Sequence, residues 1–176
     1  MKNLSLLCAG FCLFLCSLFY GSCDEDEDKL PPITMEGRNT FGCLVNGKVF
    51  FPKAPLGQSG VHAEFSNSKI DTMAINIYAG NRSQSFFISI LDSPSLETGR
   101  VYDLSNKNCC GIQYIEFDDK HTCDYEIALN GFIKLSIFDL NKSIVSGTFE
   151  FITYNSNCSD TIKVTEGRFD IGEITR

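Results

Sequence analysis

Cys23 stands directly before Asp24, Glu25, Asp26, Glu27 and Asp28, and one thiol followed by five carboxylates points to covalent lipid chemistry. Lys2 supplies a positive start, residues 4–19 are almost wholly apolar, and Gly21 and Ser22 precede the cysteine. That is the layout of a secretory leader. A lipoprotein signal peptidase needs small side chains at the two positions before its cut, so that extended backbone enters a narrow cleft, and the thiol of Cys23 then accepts a diacylglycerol. Tyr20 departs from the Leu usual three residues before the cysteine. Cys16 is a rival anchor preceded by bulky Phe14 and Leu15. Two alternatives stay open: a conventional signal peptide cut near Gly21 or Ser22, and an uncleaved helix over 4–22, close to the roughly 20 residues that span a bilayer. All three place the rest of the chain outside the cytoplasm.

The other chemistry-bearing residues are thinner. After the leader cysteines and Cys23, five remain: Cys43, Cys109, Cys110, Cys123 and Cys158. In an oxidising compartment one or two disulfides and a leftover thiol are expected, with connectivity open. If residues 119–120 turn a hairpin, Cys123 lies opposite Glu116, too far along the ladder to bridge Cys110. Cys109, Cys110 and Cys158 fall in loops and are freer to meet. Cys109, Cys110, His121 and Cys123 are the right ligand types for zinc, but the vicinal pair and its distance from Cys123 do not match C-x2-C spacings. Asp118, Asp119, Asp124 and Glu126 could face calcium, yet no D-x-D-x-D-G loop is present and solvated turn charge is the expectation. His62 alternates with Val61 and Ala63 and should face solvent. No G-x-S-x-G, H-E-x-x-H or Gly-rich phosphate loop occurs, so no catalytic residue, cofactor or metal is expected. Phe50, Tyr78, Tyr114 and Tyr154 could stack on sugars, although aromatics of a helix-free domain more often fill its core.

These residues must be carried by strands. Beyond residue 41, apolar residues come in short alternating runs bounded by Gly, Asn, Asp and Ser. Asn46-Gly47 between apolar flanks predicts a two-residue hairpin turn in 42–51 with both turn residues at positive φ. Further strands are predicted over 61–65, 73–78, 86–91, 100–104, 112–117, 123–129, 132–138, 144–153 and 162–171. Val61/Ala63/Phe65, Met73/Ile75/Ile77, Ile133/Leu135/Ile137 and Phe149/Phe151 should each line one face. Ile162 and Val164 share one parity and Phe169 and Ile171 the other, so a β-bulge is predicted near Glu166-Gly167. About ten strands and no helical period argue an all-β domain over 42–176, an antiparallel β-sandwich or flattened barrel.

Fifteen Lys and Arg oppose 22 Asp and Glu in the 176 residues. The carboxylates of 24–28 account for much of that excess, and with no basic cluster a nucleic-acid partner is not expected. The acidic run should stay extended by self-repulsion. Pro31 and Pro32 stiffen the adjoining stretch, so residues 23–41 read as a lipidated cysteine with its tether, after a signal peptide over 1–22.

The string NTFGCLVNGKVF at 39–50, residues 138–151 (FDLNKSIVSGTFEF) and VTEGRFD at 164–170 resemble a family of small Bacteroidota surface lipoproteins of unassigned function. In that phylum, acidic residues behind the lipidated cysteine resemble a surface-export signal, and Asp24, Glu25, Asp26, Glu27 and Asp28 match it. The resemblance implies an outer-membrane, lipid-anchored protein exposed at the cell surface, and it implies no substrate. The expectation is a non-enzymatic module that binds or scaffolds a protein or glycan. An envelope hydrolase with a non-motif site and an inhibitor-like or assembly accessory protein are the rival classes. A convergent His-Ser-Asp pocket would favour the first, and an apolar edge strand or protruding loop the second.

Overall fold

A computed structural model describes residues 29–54, 60–68, 72–92, 94–118 and 121–176. Cys16, Cys23, the acidic run 24–28 and Asp119 lie outside the described residues. Among those described, no helix is long and apolar enough to cross a membrane.

Among the described residues, twelve strands form two six-stranded sheets, mostly antiparallel and not closed, which makes the fold a β-sandwich. The first sheet holds β1 (Thr40–Val45), β2 (Lys48–Phe50), β6 (Val101–Asp103), β9 (Ala128–Asp139), β10 (Ile144–Asn155) and β11 (Asp160–Gly172), in the order β2-β1-β11-β10-β9-β6. The second holds β3 (Val61–Ser68), β4 (Thr72–Gly80), β5 (Gln84–Asp92), β7 (Cys110–Phe117), β8 (Thr122–Tyr125) and β12 (Ile174–Thr175), in the order β12-β3-β4-β5-β7-β8. After β11 the chain changes sheet at Glu173 and pairs Ile174 with Ala63, the parallel pairing of β12 with β3.

The predicted hairpin is present. Asn46 and Gly47 have φ of 49° and 81°, and Leu44 pairs with Val49. A turn with both central residues at positive φ twists with the same hand as the strands it joins. The predicted bulge is present too. Opposite Phe149 and Phe151, β11 advances from Gly167 to Val164, one residue more than its partner. β1 meets the same irregularity between Gly42 and Leu44. With Glu166 at a φ of 53°, the extra residue lets Ile162, Val164, Phe169 and Ile171 all reach the core.

Two strand expectations are corrected. The strand predicted over 123–129 ends at Tyr125, and β9 begins at Ala128 and runs unbroken through Asn130-Gly131. That pair mimics a turn in sequence, but Gly131 lies flat against β10, where a Cβ would come within 2.4 Å of the Glu150 carbonyl oxygen. The alternation Ile133/Leu135/Ile137 also breaks. Between Ser146 and Gly147 of β10, β9 steps from Ile137 to Leu135, so Ser136 is the extra residue of a second bulge. Beyond it Phe138, rather than Ile137, packs against the core and meets Phe65 at 5.9 Å between ring centres.

Between the sheets lies a cluster of rings. Phe41 sits 5.2 Å from Phe149 and 5.6 Å from Phe86, and Phe86 in turn sits 4.7 Å from Phe50 and 4.8 Å from Tyr114. Edge and tilted contacts of this kind add to the apolar area the rings bury. Phe50 and Tyr114, offered by the sequence as sugar-stacking candidates, are therefore core residues.

Residues 30–39 read from composition as spacer, yet they dock on the outer face of the first sheet. Pro31 packs over Gly42, where a Cβ would come within 2.6 Å of its ring. The carboxylate of Asp170 on β11 accepts hydrogen bonds from the Thr34 hydroxyl at 2.6 Å and from the backbone N–H groups of Glu36, Gly37 and Arg38 at 3.1, 2.8 and 3.3 Å. Gly172 N–H donates to Asn39 Oδ1 at 2.9 Å. A buried carboxylate with four donors is a strong local tie.

Candidate functional site

Cys123 and Cys158 form a disulfide with Cα atoms 6.2 Å apart. It links β8 of the second sheet to the turn between β10 and β11 of the first, so it staples the sandwich at one end. The connectivity that sequence left open is Cys123–Cys158, and Cys109 and Cys110, which loop placement left freer to reach Cys158, do not bond it. Asn155 Nδ2 donates to the Asp124 carbonyl at 2.6 Å and holds the β10–β11 turn against β8, next to Cys123. Glu116 does pair with Cys123, as the hairpin argument required. Cys43 is a buried free thiol, and burial pushes its pKa far up, which keeps it protonated and inert. Cys109 and Cys110 are free as well, their sulfurs 2.9 Å apart.

The zinc set considered from sequence does not assemble, and of the calcium set Asp119 lies outside the described residues. Cys123 is bonded to Cys158, which removes it from a zinc set with Cys109, Cys110 and His121. Asp124 Oδ2 accepts from Gln113 Nε2 at 2.9 Å, and Glu126 is exposed. Among the described residues no three His, Cys, Asp or Glu side chains converge as metal ligands.

What the fold does assemble is a row of side chains across the outer face of the second sheet. His62 on β3 pairs with Tyr78 on β4, Tyr78 with Phe87 on β5, and Phe87 with Gln113 on β7. On these strands Val61, Ala63, Ile77, Ala79, Phe86, Ile88 and Ile112 face the core, so alternation puts the row on the opposite side. His62 faces solvent as expected and stacks on Tyr78 with ring centres 4.5 Å apart and planes 9° from parallel. Tyr78 meets Phe87 at 5.1 Å, tilted by 45°. The Tyr78 hydroxyl donates to Glu64 Oε2 at 3.2 Å, and Glu64 Oε1 lies 3.8 Å from His62 Nε2. Partial burial first, and the Glu64 carboxylate second, raise the Tyr78 pKa, so the phenol stays a neutral donor.

The row borders a shallow, open groove of about 570 Å3 that Lys53, Ala54 and Gly60 also line. The Lys53 N–H bonds the Gly80 carbonyl at 2.9 Å, and Asn81 Nδ2 bonds the Phe51 carbonyl at 3.1 Å, fixing that stretch of chain against β4. Sequence reading singled out His62 and Tyr78 but missed Phe87 and Gln113. Phe87 could have been found, because its parity is opposite to that of its core neighbours Phe86 and Ile88.

Tyr114 lies below this surface, fully buried. Its hydroxyl donates to Glu116 Oε1 at 3.0 Å and accepts from Gln84 Nε2 at 2.8 Å. Burial, then the neighbouring Glu116 carboxylate, push its pKa strongly up. Tyr154 is 47% exposed, at a separate hollow beside the disulfide that Asp124, Glu126 and Asn155 also line.

Fold and surface together define a class: an open β-sandwich, stapled at one end, that presents an in-register aromatic and polar row on one outer sheet face. Within that class a family model described as Domain of unknown function (DUF6252) matches residues 61–171, and the chain belongs to that family. The match runs from the start of β3 almost to the end of β11. It includes 138–151 and 164–170 of the stretches behind the sequence resemblance and leaves out 39–50. No curated protein and no solved structure matches the chain.

Proposed function

We propose that the chain is a lipid-anchored, surface-exposed envelope protein, held at the outer membrane through Cys23, whose sandwich is a non-catalytic binding module. The observation that carries the binding reading is the row His62–Tyr78–Phe87–Gln113, four side chains of four neighbouring strands in one line beside a fixed groove. Concave surfaces with aromatic walls and a few convergent polar groups are where ligands bind.

The docked segment 30–39 changes how display would work. With 30–39 docked, the distance the chain between Cys23 and Lys29 can bridge is at most about 20 Å. A module held that close would meet partners at the membrane surface itself, with the acidic run 24–28 between it and the lipid.

The test uses the mature chain freed from its anchor by Cys23→Ser, added to isolated cell envelopes and sedimented. The wild-type surface should pellet with the envelopes. A Tyr78→Ala/Phe87→Ala variant that melts like wild type should stay in the supernatant. Equal pelleting of the two would remove the row as contact surface, and no pelleting of either would remove the binding reading.

A further inference from the structure

From the geometry of Cys109 and Cys110 we infer a redox modification site, at which the two adjacent thiols close into a vicinal disulfide that opens more readily than Cys123–Cys158. Their sulfurs lie 2.9 Å apart, inside ordinary sulfur–sulfur contact and short of a bond. The backbone holds them there. The N–H groups of Cys109 and Cys110 both bond the Asn106 carbonyl, at 3.1 and 3.0 Å, and the Cys109 carbonyl accepts from Leu91 N–H at 2.6 Å. The turn is thus fastened to β5, and the thiols do not have to search for each other.

Their surroundings divide the labour. Cys110 is buried, whereas Cys109 is half-exposed, with its sulfur near the carbonyls of Asp103 and Asn106 at 3.8 and 3.5 Å. Only Cys109 is open to a partner disulfide. The co-reactant is a small-molecule disulfide such as oxidised glutathione, or the disulfide of a thiol oxidoreductase. The Cys109 thiolate attacks one of its sulfurs and releases the other as a thiolate. Cys110, after giving up its proton, then attacks Cys109 Sγ and expels the second thiolate. The site loses two protons and two electrons, and the oxidant becomes two thiols. Adjacent Cα atoms sit about 3.8 Å apart across a trans peptide, below the usual 4.4–6.8 Å of disulfides, so the ring is strained and easily reduced. Burial and the Cys109 sulfur raise the Cys110 pKa, and it is the exposure of Cys109 that makes it the first nucleophile.

The experiment needs no variant to begin. The purified mature chain is incubated with oxidised glutathione, blocked with an alkylating reagent and mapped by mass spectrometry. The peptide containing residues 109–110 should run two hydrogens light and unalkylated. A graded series of dithiothreitol should restore its alkylation at lower reductant than the Cys123 and Cys158 peptides require. Cys109→Ser, a change at the half-exposed position, should leave Cys110 unoxidised and the melting temperature within a few degrees. Full alkylation of both thiols after oxidant would overturn the inference, as would a glutathione adduct that stays on Cys109. So would opening of both disulfides at the same reductant concentration.

Discussion

The Asp170 carboxylate accepts the Thr34 hydroxyl at 2.6 Å across 136 positions of sequence, and through it the segment before β1 is fastened to β11. Burial alone would raise this carboxyl's pKa. The Thr34 hydroxyl and the N–H groups of Glu36, Gly37 and Arg38 outweigh it and hold the pKa below the ordinary carboxylate value. A carboxyl depressed in the folded state stabilises fully above its unfolded pKa near 4, and that stability is lost as pH falls through the lower folded value. Melting temperature followed from pH 7 to pH 2 should therefore drop below about pH 4. The drop should be shallower in Asp170→Asn, which is less stable at pH 7 and has no such proton to take up. Parallel profiles for the two proteins would refute the assignment.

Replacing Asp170 with Ala leaves three backbone donors and one hydroxyl unmatched beneath the docked segment. The loss should be at least about 2 kcal/mol by chemical denaturation. Amide exchange should accelerate at Glu36, Gly37 and Arg38 while the protection of β4 and β5 stays as in wild type. Protection unchanged at those three amides would show that the segment is held by its prolines instead.

Sequence carried the features that are local or periodic. The parity slip between Val164 and Phe169 located the β11 bulge, and Asn46-Gly47 located the first hairpin, because each is written in neighbouring side chains. It misplaced the start of β9, because Asn130-Gly131 has the composition of a turn and only contact with β10 explains the glycine. Tyr78 and His62 were visible as residues. Their line through Phe87 to Gln113 was not, since it depends on the register of four strands. The clasp on Asp170 and the Cys123–Cys158 bridge join positions far apart in sequence, which neither propensity nor spacing encodes.

Lipid attachment is expected at Cys23. Metabolic labelling with a clickable fatty acid should mark the wild type and not Cys23→Ala. Loss of label in Cys16→Ala alone would move the anchor.

The acidic run is expected to direct display and not folding, because a dense charge run cannot bury apolar area. With Asp24, Glu25, Asp26, Glu27 and Asp28 replaced by Asn, the melting temperature should stay within a degree or so. Whole-cell protease digestion should no longer reach the protein. Undiminished cleavage from outside would sink the export role.

Two substitutions separate the turn from the packing. At Gly47 an added Cβ meets nothing within 4 Å, so Gly47→Val is opposed by backbone alone, a β-branched residue forced to a φ of 81°. That strain costs on the order of 1–3 kcal/mol. Phe149 is fully buried and meets Phe41, Phe151 and Phe169, so Phe149→Ala removes a ring from the middle of the sandwich. A large-to-small change at such a site costs about 3–5 kcal/mol. Gly167→Ala adds a third case, since its Cβ would come within 2.5 Å of the Phe149 carbonyl oxygen and 2.6 Å of the ring. It should behave like a core variant although it sits beside a bulge, destabilising by about 1–3 kcal/mol through overpacking. Urea denaturation of the three should place Phe149→Ala lowest. If Gly47→Val proved the most damaging, the hairpin and not the aromatic cluster would be the element on which the sandwich depends.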